Sequence, residues 1–148
     1  MTPHDRFGTA ALLLGAATQL VDGIQSGMLE RGFDDVRPAH GFAFVRISRG
    51  DATVVDVASH LGISKQAASQ LVELLVQRGY VERTPHPSDA RSALLSLTAH
   101  GWACTRAAEQ SAADTIAGWE RTVGRARMES LASTLDAVAE PGPIRPAW

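Results

Sequence analysis

The sequence predicts a mainly α-helical fold that carries one small β-hairpin. Apolar residues recur every three or four positions through most of the chain, as they do on one face of an amphipathic helix. Two short segments, YVER and SALLSL, are typical of strands, and the turn-forming stretch TPHPSDAR separates them. The 148 residues, 45% of them apolar, are enough to bury the core of one domain.

Charge and cysteine content exclude several classes of protein. The net charge of −2 gives no general attraction to nucleic acid or to an anionic membrane, so any DNA binding must depend on local residues. The single cysteine, Cys104, excludes an internal disulfide and favours a cytoplasmic protein, where we expect it to be a small helical residue rather than a redox sensor. His100 and Cys104 lack the clustered partners of a metal site, and no motif of an enzyme is present. We expect neither a metal nor a cofactor.

The first helix is predicted to be long. Thr2 is a helix N-cap and Pro3 the first helical residue, and the apolar pattern continues as far as Met28. The apolar run GTAALLLGAATQLV (8–21) lacks the flanking charge of a signal peptide and is too short and interrupted to cross a membrane. Glycines lower helix propensity, so the four in this helix suggest close approach of another helix, either of this chain or of a second copy: Gly8, Gly15, Gly23 and Gly27.

Three shorter helices are predicted in the middle of the chain. Pro38 precedes a short buried helix over GFAFVRI (41–47), and Thr53 with Asp56 forms a capping box at the start of the next. That helix ends at the turn LGI, after which Ser64 caps a third helix that extends to Arg78. Two helices joined by a tight glycine-containing turn are a helix-turn-helix.

The hairpin and the final helices follow. Gly79 ends the third helix, and residues 80–83 and 92–97 are the predicted strands. Thr98 caps another long helix, which a glycine (Gly118 or Gly124) separates from a last helix. The three prolines of PGPIRPAW (141–148) predict an extended tail. A helix-turn-helix followed by a hairpin is a winged helix-turn-helix.

The third of these helices has the side chains of a DNA-recognition helix. Gln66 and Gln70 share one face and can each pair with N6 and N7 of adenine. Ser64 and Ser69 can bind phosphates, and Lys65 adds positive charge. A simpler alternative is an ordinary solvated helix face. Six apolar residues are expected to hold the helix on the core: Ala67, Ala68, Leu71, Val72, Leu74 and Leu75.

The hairpin loop supplies a candidate minor-groove contact. Arg91 is suited to a narrow A·T-rich minor groove, and Asp89 can hold its guanidinium. His86 adds charge when protonated, and Arg83 and Ser88 complete the set of candidate wing contacts. The alternative is a surface ion pair of little consequence.

Residues 61–101, LGISKQAASQLVELLVQRGYVERTPHPSDARSALLSLTAHG, closely resemble the winged-helix core of the MarR family of transcriptional regulators. The matching motifs are an LG-x-S turn, GYVER, a D-x-R wing and an LT-x-x-G exit. The resemblance implies a homodimer on pseudo-palindromic double-stranded DNA, with the recognition helix in the major groove and Arg91, oriented by Asp89, in the minor groove. It also implies a winged helix-turn-helix over 37–97, with dimerisation helices and a tail over 2–36 and 98–148.

Two further expectations concern ligands and partners. Many relatives are repressors released by small, often aromatic and acidic effectors, and the aromatic or basic residues to consider here are His40, Phe42, Phe44, Arg46 and Trp102. The alternative is that the aromatic ones are core residues. Between residues 61 and 100 there are only four basic residues against three acidic ones, which permits a second function: a winged helix that binds protein rather than specific DNA.

Overall fold

The computed structural model describes residues 1–140, so the predicted extended tail lies outside the described residues. It confirms a mainly helical fold with one two-stranded antiparallel sheet. The chain divides into two compact units, one formed by residues 1–32 with 108–139 and the other by residues 33–107. The elements are α1 (Pro3–Glu30), α2 (Pro38–Ser48), α3 (Val54–Leu61), α4 (Lys65–Gln77), β1 (Val81–Pro85), β2 (Ala93–Leu97), α5 (Ala99–Val123) and α6 (Arg125–Val138).

The helix-turn-helix of the second unit forms where the sequence predicts it. Thr53 and Asp56 make the capping box at the start of α3, with the Thr53 N–H donating to the Asp56 carboxylate at 2.8 Å. Gly62 then takes a left-handed conformation (φ 68°), which ends α3 and turns the chain into α4. Both helices bury one face in a common core made of Phe44, Ile47, Val57, Leu61, Ala68, Val72, Leu75, Tyr80, Val81, Leu95 and Leu97.

The hairpin is shifted from its predicted position. Val81 pairs with Leu97 and Pro85 with Ala93, so Thr84 and Pro85 belong to β1 and the connecting loop is shorter than predicted. Tyr80 is not in the strand, because its N–H bonds to the Leu75 carbonyl at 2.9 Å and completes the end of α4. Proline is tolerated at the end of an edge strand, which is why Pro85 fits there.

Two contacts tie the hairpin to the rest of its unit. The N–H of Leu95 donates to the carbonyl of Ala52 at 2.8 Å, an isolated bridge that the sequence did not indicate. At the other end, the Thr98 hydroxyl accepts the Gly101 N–H at 3.1 Å and so caps α5 as predicted. A β-carbon at Gly101 would collide with the Tyr80 carbonyl. The LT-x-x-G motif therefore allows α5 to start against the end of α4.

In the first unit, α1 packs on the later part of α5 through two of its glycines. A β-carbon at Gly23 would collide with Thr115, and one at Gly27 would collide with Ser111. Nearby, Arg31 donates to the Ser111 hydroxyl at 3.3 Å and pairs with Asp114 at 2.7 Å. Close helix approach thus accounts for two of the four glycines, whereas Gly8 and Gly15 have open space around them in this chain.

The same unit leaves large apolar side chains uncovered at both ends of the sequence. In the first half of α1, Phe7, Leu12 and Leu14 are 75%, 76% and 64% exposed. Helix α6 begins after Gly124 (φ 90°), the second of the two predicted break points, and has no buried residue. Its exposed apolar side chains are Leu131, Leu135 and Val138.

Candidate nucleic-acid interface

Helix α4 presents a polar surface at its N-terminal end. Ser64 is the N-cap, and its hydroxyl accepts the N–H of Ala67 at 3.1 Å. Lys65, Gln66 and Gln70 are exposed and Ser69 is half-buried. The opposite face is buried through Ala68, Val72 and Leu75, while Leu71 and Leu74 are half-buried. The expectation that Ala67 belongs to the core is wrong, because its side chain is exposed.

The wing loop is held together by Asp89, although not in the predicted manner. Its carboxylate accepts the backbone N–H of Arg91 at 2.9 Å and the hydroxyl of Ser92 at 3.2 Å. The ion pairs of residues 1–140 do not include one between Asp89 and the Arg91 guanidinium. These two hydrogen bonds, the backbone one first, lower the pKa of Asp89. Asp89 thus fixes the backbone that carries Arg91 and leaves the guanidinium free for another partner.

His86 and Ser88 shape the other side of the loop. The Nδ1 atom of His86 accepts the Ser88 N–H at 3.1 Å, and the Ser88 hydroxyl lies 3.4 Å from the same nitrogen. In this conformation the imidazole organises the loop backbone. Both residues lie on the wing, as the sequence predicts, and Ser88 is exposed.

One cleft brings the recognition helix and the wing together. It has a volume of about 260 Å³, and its lining includes Lys65 and Ser69 from α4 and Arg83 and Arg91 from the hairpin. Sequence reasoning did not include the third wall of this cleft, which is the start of α3. Its residues in the cleft are Thr53, Val54 and Val55. None of them has a charged or amide side chain that would indicate a DNA contact.

Ion pairs reduce the number of basic groups available for DNA. Arg83 pairs with Glu73 of α4 at 2.9 Å, and both side chains are partly exposed. Arg78 lies 3.9 Å from the Asp35 carboxylate and also donates to the Asp35 backbone carbonyl. Among the described residues between 61 and 100, Lys65 and Arg91 are the basic groups outside an ion pair.

The residues considered for an effector lie in different environments. Phe44 is 2% exposed, and its ring centroid is 5.6 Å from that of Tyr80 in the core. Arg46 donates to the Gly50 carbonyl at 3.1 Å and lies 3.8 Å from Asp56. His40 is buried and accepts the Arg37 N–H at 3.0 Å, whereas Phe42 is half-buried and Trp102 is exposed. None of the five residues lines the cleft between α4 and the wing.

Cys104 has the surroundings of a packing residue. The side chain is 1% exposed, and burial raises the pKa of the thiol to about 12. A redox sensor needs an accessible thiol with a low pKa. The surroundings of Cys104 therefore favour the packing role expected from the sequence.

The fold and this surface define a winged helix-turn-helix protein, with an exposed recognition helix and an arginine-bearing wing on one side of the second unit. The sequence comparison is more specific, because residues 34–92 match the model of the MarR family. Over these residues the chain is similar to the MarR family. Proteins of this family are transcription regulators and not enzymes.

Solved structures show the same fold over nearly the whole chain. RV1404 from Mycobacterium tuberculosis is 24% identical, with a TM-score of 0.77, and the match covers 91% of this chain and 92% of that one. Wild-type MarR from E. coli in its apo form is 21% identical, with a TM-score of 0.72 and coverage of 95% and 99%. A mutant E. coli MarR complexed with operator DNA is 21% identical, with a TM-score of 0.69 and coverage of 92% and 96%. No curated protein matches the chain.

Proposed function

We propose that the protein is a cytoplasmic, homodimeric repressor that binds a pseudo-palindromic operator in a sequence-specific manner. The observation that carries this proposal is the cleft in which Lys65 and Ser69 of the recognition helix meet Arg83 and Arg91 of the wing. A helix in the major groove and a wing beside it must reach the same stretch of DNA. The cleft between them is where a segment of phosphate backbone fits.

Each exposed group has a role that suits its position. Gln66 and Gln70 read base edges in the major groove, and Lys65 and Ser69 bind the backbone next to them. Arg91 enters the minor groove, where the negative potential of a narrow A·T-rich segment attracts a guanidinium. The hydrogen bonds of Asp89 keep the Arg91 backbone in one conformation, which lowers the entropy lost on binding.

The dimer is supported by the uncovered apolar surface of the first unit. Phe7 and Leu14 are seven residues apart and therefore lie on one face of α1, and both are mostly exposed. Soluble monomers seldom leave a contiguous patch of this kind in water, because each buried Å² of apolar surface contributes roughly 25 cal/mol. A second copy of the chain would cover α1 and α6, and would place two recognition helices on one operator.

A membrane is the competing explanation for the exposed face of α1. By length and composition this 28-residue helix is long and apolar enough to cross a bilayer. This corrects the expectation that the apolar run of residues 8–21 is too short to do so. Against this use, the last third of α1 packs through Gly23 and Gly27 on polar Thr115 and Ser111. Flotation with lipid vesicles distinguishes the two explanations, since a dimer stays in solution.

The main experiment is a selection from random DNA followed by affinity measurements on the selected site. We expect Arg91→Ala and Gln66→Ala each to weaken binding of the dimer by roughly thirtyfold or more, because each removes one specific contact of about 1–3 kcal/mol from both half-sites. The matched controls are Arg106→Ala, which removes an exposed arginine of α5, and Gln77→Ala, at the far end of α4. If no sequence is enriched at low salt, or if both interface variants bind as well as the controls, the DNA-binding proposal fails in favour of a protein-binding module.

Salt dependence gives a second, quantitative check. With Lys65 and Arg91 as the unpaired basic groups near the cleft, a dimer would neutralise roughly four phosphates through them, at about one unit of log–log slope each. We therefore expect a slope of about −3 to −6 per dimer in anisotropy titrations between low and physiological salt. A slope near −10 would mean that other basic residues contact the backbone.

Release by an effector is the remaining part of the proposal, and the support for it is the family resemblance. The expected ligand is a small aromatic or acidic molecule. Isothermal titration with a panel of aromatic acids, with and without operator, tests this part. Heat that appears only with the free protein is expected for a releasing effector, and the absence of heat across the panel would remove this part of the proposal.

A further inference from the structure

An exposed methyl group lies next to an exposed amide on the recognition helix. The side chain of Ala67 is in solvent, whereas that of the next residue, Ala68, is fully buried. The position of Ala67 is fixed, because its N–H is bonded to the Ser64 hydroxyl at the N-cap. Ile63, the residue before the N-cap, is 38% exposed.

The neighbours of Ala67 are free to bind a ligand. Gln66 and Gln70 are exposed and form no side-chain hydrogen bond with any residue in the described part of the chain. Gln70 lies three residues after Ala67, so the two side chains are neighbours on the helix surface, and Gln66, four residues before Gln70, is the next neighbour of Gln70. The surface therefore presents donors and acceptors with an apolar group beside them.

This combination matches one kind of base pair. In the major groove an A·T pair offers adenine N7 and N6, which a glutamine amide can bind, and the 5-methyl group of thymine, which an apolar side chain can contact. A G·C pair has no methyl group in the groove, and an alanine cannot bind its polar edge. The methyl group of Ala67 buries apolar surface on binding only if another apolar group packs against it.

We propose that Ala67 is a specificity-determining residue whose methyl group packs on the 5-methyl group of one thymine in each half-site, beside an adenine bound by Gln66 or Gln70. The inference rests on the proposed DNA-binding function and makes it more specific. It requires an A·T pair at a fixed position of the major groove in each half of the operator. The order of A·T and T·A at that position also matters, because the methyl group belongs to one strand.

Replacement of thymine by deoxyuridine tests this contact directly. The change removes the 5-methyl group and leaves the Watson–Crick edge unchanged, so pairing and most backbone contacts are kept. Each thymine of the selected site is replaced in turn in synthetic duplexes, and affinity is measured by anisotropy. We expect one position per half-site at which the replacement weakens binding by roughly threefold to tenfold, the size of a small buried apolar contact.

The protein variants assign the contact to Ala67. In Ala67→Gly the sensitivity to deoxyuridine at that position should disappear, and Ala67→Ser, which keeps the side-chain size closer to alanine, should reduce it if the glycine variant folds poorly. The matched control is Ala113→Gly, at an exposed position of α5, which should keep the full sensitivity.

The outcomes separate this inference from the proposed function. If the protein selects a specific site but no thymine is sensitive to loss of its methyl group, the Ala67 contact is wrong and the DNA-binding function stands. If a thymine is sensitive and remains equally so in both Ala67 variants, another residue makes the contact and the inference is also overturned. If no site is selected, the proposed function itself has failed.

Discussion

The two units of the chain differ in how completely they bury their own apolar side chains. In the unit of residues 33–107, Phe44, Val57, Leu75 and Tyr80 are each at most 2% exposed. In the unit of residues 1–32 and 108–139, helix α6 buries nothing and the first half of α1 is almost entirely exposed. The winged-helix unit thus completes its core within one chain, whereas α1 and α6 leave apolar side chains exposed.

The difference follows from the lengths of the elements. Helices α3 and α4 have 8 and 13 residues, too few to be stable alone, so they exist because they pack on each other and on the hairpin. Helix α1 has 28 residues and satisfies its own backbone hydrogen bonds far beyond its contact with α5. We call residues 33–107 the closed unit, and residues 1–32 with 108–139 the open unit. We expect substitutions inside the closed unit to change the free energy of unfolding, and substitutions on the surface of the open unit to change assembly.

The largest effect is expected from a methyl group placed inside the closed unit. In Gly101→Ala the new β-carbon would meet the Tyr80 carbonyl, and neither backbone can move without shifting the start of α5. We expect the free energy of unfolding to fall by about 2–4 kcal/mol in urea titrations. Gly41→Ala is the control, since Gly41 lies inside α2 with nothing near its missing side chain, and it should be neutral or stabilising by up to about 1 kcal/mol. Equal stability of the two variants would contradict this view of the closed unit.

A change on the surface of α1 should act on assembly rather than on the winged-helix core. The double variant Phe7→Glu with Leu14→Glu places two charges on the exposed apolar face. We expect monomers by sedimentation velocity and a loss of operator affinity of roughly a hundredfold, since two linked recognition helices bind far more tightly than one. The far-ultraviolet circular dichroism spectrum of the variant should remain that of a folded, mainly helical protein.

The control for this variant is Ala113→Glu, which adds charge at an exposed position of α5. It should remain a dimer with nearly native affinity. A native protein that sediments as a monomer, or a double variant that still dimerises, would show that the exposed face of α1 is not the interface.

Much of the closed unit could be predicted because its signals are local. The capping box of Thr53 and Asp56, the turn at Gly62 and the N-cap Ser64 each depend on residues within four positions, and all three are observed. The bridge from Ala52 to Leu95 could not be found in the same way, because it joins residues far apart in sequence.

Three features of the site differ from what the sequence pattern predicts. The sequence predicts a bond between Asp89 and the Arg91 guanidinium, but the carboxylate accepts the backbone N–H of Arg91 and the hydroxyl of Ser92, both within the same turn. Ala67 was assigned to the core because alanine is apolar, although periodicity alone cannot place a small residue at the edge of a helix face. The role of α3 in the cleft depended on tertiary packing.

The smallest effect is expected from protonation of a histidine inside the closed unit. Burial lowers the pKa of His40, helped by the nearby charge of Arg78 and Arg37 and opposed by that of Asp35. Below about pH 6.5, the usual pKa of histidine, the unfolded chain binds a proton that the folded chain does not. The free energy of unfolding should therefore fall as the pH drops from 6.5 towards 5, with a slope of at most about 1.4 kcal/mol per pH unit.

His40→Asn tests this assignment, because asparagine can still accept the Arg37 N–H but does not titrate. Urea unfolding of this variant should show a smaller slope between pH 6.5 and 5, whereas His4→Asn, at the exposed start of α1, should keep the native slope. The four aspartates whose pKa is lowered, Asp5, Asp56, Asp89 and Asp114, titrate at lower pH and do not contribute in this range. Identical slopes in the native protein and in His40→Asn would contradict this assignment. They would mean that protonation of His40 does not lower the free energy of unfolding.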